Sequence, residues 1–381
     1  MALELPLPLD RFLAEYWQRK PLLIRGGLPG YRAPLSPEDL AGLSMEEDSL
    51  ARLVQYRRRA DRWSVRHGPF VEADFAALPD RDWTLLVQDV DRWDPGVAAL
   101  LAHFRFLPRW RLDDVMVSYA VAGGSVGAHV DQYDVFLVQG LGRRHWMWDD
   151  SAGPALGFRP DVPLKLLQHF IPTDEAVLEP GDILYLPPGV PHHGVALDPC
   201  LTLSVGLRAP SVAELWQARI GDWAETLDDS LRYADPGLMP AEHPGELDDV
   251  AVERLAALLQ AHRPDDDAAS LRRCFGRMLS TWRQARVPEP PARKLGERAL
   301  TQRLAAGGRL RLDAQLRPIW YREAGAATLW LQGRAFRVRE SLATGLCAGV
   351  MLDADAWAAL DVGEQQALRE AYNEGCLRWQ R

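Results

Sequence analysis

Between residues 50 and 210 the chain is cut by glycine and proline into short apolar runs, and this pattern permits few architectures. The runs fall at 84–90, 115–121, 135–139, 145–148, 183–186 and 201–207. They are rich in Val, Ile, Leu and aromatic residues and are of strand length, and turn residues separate them. Such spacing predicts a mostly antiparallel barrel or sandwich.

Different patterns flank this region. Residues 10–20 carry an N-cap candidate, Asp10, and apolar residues at helical spacing; Pro21 stops that helix and 22–25 reads as a strand. After Arg208-Ala-Pro210 the stretches 211–232 and 249–286 are rich in Ala, Leu, Glu and Arg at helical spacing, which predicts a helical module. Pro288-Glu-Pro-Pro291 marks a linker. Beyond it, strands are expected around 318–322 and 328–338 and helices around 339–350 and 354–372, a small α/β domain. A length of 381 residues suits two or three domains, and the boundaries predicted are 1–210, 211–287 and 292–381.

The chemistry concentrates in Gly127-Ala-His129-Val-Asp131-Gln-Tyr-Asp134-Val-Phe136. Residues two apart in a strand face the same side, so His129 and Asp131 can grip one ion. A third ligand would complete the 2-His-1-carboxylate triad, which leaves coordination positions open on non-haem Fe(II) for a co-substrate and O₂. About sixty residues on, Glu179-Pro-Gly-Asp182 introduces a strand, and a proline-rich loop leads to Pro191-His192-His193. A His-x-Asp pair alone is common at surfaces. Followed by this second half it points to a metal site, with His192 or His193 as third ligand.

Between the halves lies Arg143-Arg144-His145-Trp146-Met147-Trp148. Alternation puts Arg144 on the face of Trp146 and Trp148, an interior face, where a cation needs an anionic partner. A dicarboxylate co-substrate would supply one, because guanidinium binds carboxylate through two parallel hydrogen bonds. Read alone, Arg143-Arg144 would be a solvated turn or a phosphate contact. Ser204 is a weaker candidate to line the same cavity. Tyr133, Asp113, Asp114 and Tyr119 lie in or near the flanking strands and are candidates to meet a cationic substrate.

These motifs together resemble those of the JmjC-type, cupin-fold 2-oxoglutarate oxygenases, and more closely of the bacterial ribosomal oxygenases. The resemblance rests on 12–24, on 118–142 with His129-Val-Asp131, on Gly142-Arg143-Arg144, on Pro187-Pro-Gly-Val-Pro-His192 and on Ser204 to Pro210. It implies an α+β multidomain chain: a double-stranded β-helix (jelly roll), a helical dimerisation module and a C-terminal winged-helix-like domain. It also implies His129, Asp131 and His192 as iron ligands, and Arg144 as the residue that binds the distal carboxylate of 2-oxoglutarate. The expected function is hydroxylation of an arginyl residue in a large-subunit ribosomal protein. One departure is visible: His193 stands where the family pattern has an acidic residue.

Charge bears on partners. Against 53 acidic residues stand 44 basic ones, a net charge of −9. That suits a basic protein partner and argues against direct nucleic-acid binding. Within 343–375, Asp353, Asp355, Asp361, Glu364, Glu370 and Glu374 face Arg369 alone, which disfavours a DNA-reading winged helix with an inactive cupin. A histidyl hydroxylase or lysine demethylase of the same fold would carry the same triad. Cys200, Cys274, Cys347 and Cys376 are scattered without a CxxC pair, as expected of a reduced cytoplasmic protein. No secretory signal or membrane-length apolar run is read. Apolar residues at 215, 220, 223, 255, 258 and 259 predict a homodimer through the helical module.

Overall fold

The computed structural model describes residues 3–380 apart from 152, 154–155, 241–242, 266, 282–288 and 314–315. It divides into two compact units, with the change at Ala209/Pro210.

The first unit is built on antiparallel strands: β1 Leu22–Ile24, β2 Ala51–Arg57, β3 Arg62–His67, β4 Trp83–Val87, β5 Leu112–Ala120, β6 His129–Val130, β7 Val135–Leu141, β8 Arg144–Trp148, β9 Asp174–Leu178, β10 Ile183–Leu186, β11 Pro191–Ala196 and β12 Cys200–Leu207. Helices α1 Leu9–Glu15, α2 Pro37–Leu43, α3 Glu72–Ala76 and α4 Pro95–Leu100 accompany them. An eight-stranded sheet runs β1-β10-β7-β12-β5-β4-β2-β3, and a four-stranded sheet runs β6-β11-β8-β9. This is the antiparallel two-sheet architecture expected from the spacing of the runs.

Strand β7 shows why its sequence lacks polar–apolar alternation. Val135 and Leu137 join one buried cluster with Trp146, Trp148, Leu184 and Leu186. Phe136 and Val138 join a second with Phe12, Phe104, Tyr185, Leu203 and Val205. Both faces of the strand are buried, so its first four positions, Val135 to Val138, are all apolar.

The expected N-terminal helix is shorter than 10–20. Helix α1 ends at Glu15, and its N-cap is Pro8, so Asp10 sits in the first turn instead. Gln18 takes a positive φ of 55°, and its backbone N–H donates to Tyr185 Oη at 2.8 Å. Trp17 stacks on Tyr185, with ring centroids 5.7 Å apart. Tertiary packing of the aromatics therefore bends the chain before Pro21 does.

The second unit contains helices α5 Val212–Ala224, α6 Asp249–Ala261, α7 Ala268–Ser280, α8 Glu297–Ala305, α9 Glu340–Cys347, α10 Ala354–Ala358 and α11 Val362–Asn373. Its strands are β13 Leu310–Leu312, β14 Ile319–Glu323, β15 Ala326–Leu331, β16 Arg334–Val338 and β17 Leu377–Trp379. The run 328–338, read as one strand, is a hairpin of β15 and β16. Gln332 and Gly333 both have positive φ, 47° and 76°, the geometry of a tight two-residue turn. The single helix read at 354–372 is two, because Asp361 caps α11 in a box with Glu364. The linker at 288–291 lies partly outside the described residues.

Candidate functional site

The pairing of β6 with β11 sets His192 directly opposite His129. Their ring centroids are 4.3 Å apart. Asp131 follows β6 immediately, and its Oδ2 lies 3.9 Å from His129 Nε2 and 3.7 Å from His192 Nε2. Among the described residues, these three form the one group able to hold a metal ion, with ligand atoms all within 4.8 Å of one another.

Each imidazole is oriented from behind. His129 Nδ1 lies 2.9 Å from Gly127 O, and His192 Nδ1 lies 2.9 Å from Val190 O. A carbonyl only accepts, so each Nδ1 carries a hydrogen, and Nε2 is the nitrogen left on the side of Asp131 to bind a metal. Burial, reinforced by the neighbouring His129, pushes His192 down to about 4 and keeps its ring neutral near pH 7. Two imidazole nitrogens and one carboxylate within 4.8 Å of one another are a donor set that fits Fe(II). His193 is turned the other way, with Nε2 3.0 Å from Ser125 Oγ and its ring edge-on to Phe170.

Arg144 opens β8 on the same wall, with only 3% of its surface exposed. Its Nη1 donates to Ser118 Oγ at 3.1 Å and to Thr202 Oγ1 at 3.4 Å. Thr202 Oγ1 donates in turn to Gln139 Oε1 at 3.1 Å. Trp146 lies beneath the guanidinium, 5.2 Å away. Arg144 Nε has no partner, and no carboxylate of the described residues pairs with this cation. Burial lowers its pKa. An unpaired buried guanidinium in a cavity shared with His129, Asp131 and His192 fits the distal carboxylate of 2-oxoglutarate.

The JmjC domain family matches residues 99–215, which span all four of these side chains. The ribosomal protein uL16 3-hydroxylase of Escherichia coli strain K12 is 38% identical over 303 residues, covering 76% of this chain and 77% of that protein. The chain belongs to the JmjC-type ribosomal oxygenases. The X-ray structure of E. coli YcfD superposes with a TM-score of 0.82 at 31% identity over the whole of both chains. YcfD, described as a ribosomal oxygenase, has also been solved with cobalt and 2-oxoglutarate, and that structure matches at a TM-score of 0.79, again at 31% identity over both full chains.

In this ribosomal oxygenase the parity of β5 separates the candidate substrate residues. Asp114, Met116 and Ser118 face the cavity that holds the triad, and Tyr133 and Ser204 line it as well. Val115 and Val117 point to the opposite core, and Tyr119 packs there against Trp83 at 5.6 Å. Asp113 engages Arg208 at 3.6 Å. Asp114 accepts from Gln88 Nε2 at 2.7 Å and from the Asp89 backbone at 3.2 Å. Burial, and then the charges of Asp89, Asp91 and Asp113, push Asp114 up to about 8. A cation arriving beside it would restore its charge.

The sequence patterns do not single out Ser118, Thr202, Gln139 or Gln88. Thr202 lies a step of two along the strand from the candidate Ser204, so a signal for it is present. Gln88 follows β4 and gave none.

Proposed function

We propose that this ribosomal oxygenase is an iron(II)- and 2-oxoglutarate-dependent hydroxylase acting on an arginyl side chain of a large-subunit ribosomal protein, uL16 by analogy with its E. coli relative. The observation that carries the reading is Arg144, a buried cation in the cavity of the triad that has no counter-ion among the described residues. His129, Asp131 and His192 would hold the metal, and Arg144 the distal carboxylate of the co-substrate. Iron with 2-oxoglutarate and O₂ supplies the oxidising power that converts a C–H bond to C–OH, leaving succinate and CO₂.

The protein's own part is orientation. Ser118, Thr202 and Trp146 hold Arg144 still, which fixes one end of the co-substrate and lowers the entropic cost of reaction. Asp114, held by Gln88, offers a carboxylate to the incoming guanidinium, and Tyr133 offers a ring face beside it. A histidyl or methyl-lysyl substrate would share the metal residues, but neither presents the planar fork that a carboxylate binds through two hydrogen bonds. A ribosomal substrate would place the reaction in the cytoplasm. Among the described residues no helix is long and apolar enough to cross a membrane.

The homodimer is proposed through α5 and α6. Trp216, Ile220, Leu255 and Leu259 expose 56, 43, 41 and 71% of their surface. So much exposed apolar surface on two helices consecutive in the chain suits a self-complementary interface. The helices from 211 to 287 are read as the dimerisation module, and residues from 292 on as a winged-helix-like domain. The acidic stretch 343–375 argues that this last domain does not read DNA.

The function is tested by succinate release with three peptides: the uL16 loop with its arginine, the same loop with lysine, and one with histidine. Turnover confined to the arginyl peptide supports the reading. Equal or greater turnover with histidine transfers the function to the histidyl hydroxylases of the same fold.

A further inference from the structure

The turn between β2 and β3 reads Arg57-Arg58-Arg59-Ala60-Asp61-Arg62, four exposed arginines in six positions. Arg57 and Arg62 are direct cross-strand partners. Like charges facing each other across a ladder destabilise it. Among the described residues no ion pair relieves Arg57, Arg59 or Arg62. The acid within the turn, Asp61, is taken by Arg159 at 3.1 Å and by Tyr56 Oη at 3.1 Å. The fold alone gives no reason for this arrangement.

The hairpin forms one wall of a groove of about 1260 Å³ in the first unit. Arg57, Arg58, Arg59, Arg66 and Arg81 line it, against Asp74 and Asp82. Five cations less two anions leave an excess of three positive charges, on a chain whose total is −9. Asp74 is paired with Arg66, and Asp82 with Arg58 at 2.9 Å and Arg81 at 3.5 Å. Tyr56 also lines the groove and stacks on Trp63, with centroids 4.3 Å apart and planes 17° from parallel. Trp63 reaches toward Gly127, two residues before His129.

We propose that this groove binds the phosphate backbone of single-stranded RNA. Guanidinium forks match phosphate, and lysine is absent from the hairpin. The groove is far larger than a lone phosphate requires, and its arginines form a track with an aromatic side chain in it, the pairing that single strands use. A basic segment of a ribosomal protein would be repelled here, so the groove is not where the substrate docks. The expectation of no nucleic-acid binding rests on net charge, which averages over the surface and conceals a local reversal of sign.

The test is fluorescence anisotropy of the full chain with a labelled oligouridylate of about twelve nucleotides, from about 50 to 200 mM salt. Binding should weaken as salt rises. The combined variant Arg57→Gln, Arg59→Gln should bind at least about tenfold more weakly. Its slope of log affinity against log salt should be shallower by about 1.4, since each phosphate contact contributes about 0.7. It should melt no lower than the parent, because a repulsion is removed, and should hydroxylate peptide unchanged. No binding by the parent at low salt, or an unchanged slope in the variant, overturns the proposal. Displacement of RNA by an equal charge of polyglutamate overturns it in favour of an acidic protein partner.

Discussion

At the scale of single residues, two histidines adjacent in sequence have separate duties. His192 converges on Asp131 and His129, whereas His193 bonds Ser125. His129→Ala, Asp131→Ala and His192→Ala should each abolish both iron binding and turnover, and His193→Ala should keep most of each. Iron analysis of anaerobically purified variants checks this; iron lost with His193 and kept without His192 would reverse the assignment. Arg144→Ala should raise the 2-oxoglutarate requirement by about 10- to 100-fold, the loss of a charge-assisted hydrogen-bonded pair. Arg144→Lys should rescue only part, since a point charge lacks the fork. Co-substrate titration at fixed iron measures both. Asp114 adds a pH dependence. Its folded pKa, about 8, lies above that of an unfolded aspartate, so its contribution to stability is fully present below the unfolded value and is lost as pH rises through 8. Asp114→Asn, fixed in the neutral form, should therefore gain in melting temperature over the parent between about pH 4 and pH 8. Parallel melting curves would contradict the burial of that charge.

At the scale of elements, the sheets were readable because their cores lie on both sides of the strands. The runs 183–186 and 201–207 coincide with β10 and nearly with β12. Strands β2 and β3 escaped notice, since arginines interrupt their apolar pattern. Helix α1 was overextended because no local signal reveals that Tyr185 receives Gln18 N–H from 167 residues away. The triad was legible as spacing, but the choice of His192 over His193 came from resemblance, and the register of β11 on β6 could not be read from sequence. The apolar spacing across 354–372 hid a break that the sequence does signal, since Asp361 with Glu364 three residues on is a capping box and aspartate is a poor helix-interior residue. Strand β11 carries a further constraint. A Cβ on Gly194 would meet the Trp146 ring at 2.7 Å, and Trp146 supports Arg144. Gly194→Val should cost about 1–3 kcal/mol by overpacking and should raise the 2-oxoglutarate requirement together with the loss of stability. Denaturant melts and co-substrate titration on the same sample decide it; lowered stability with an unchanged requirement would detach Trp146 from the co-substrate site.

At the scale of the whole molecule, the proposed dimer rests on the exposed apolar residues of α5 and α6. Light scattering at micromolar concentration should give about twice the chain mass, and Trp216→Asp with Leu259→Asp should give a folded monomer. A parent that is already monomeric would refute the dimer. The reaction itself gives the most direct test. Enzyme, Fe(II), 2-oxoglutarate and a uL16 loop peptide should be incubated in air and the peptide sequenced by tandem mass spectrometry. A gain of about 16 Da confined to one arginine, with succinate formed in equal amount, is the predicted result. An arginine left unmodified while histidine gains oxygen or lysine loses a methyl group, or succinate formed with no oxygen added to the peptide, would contradict it.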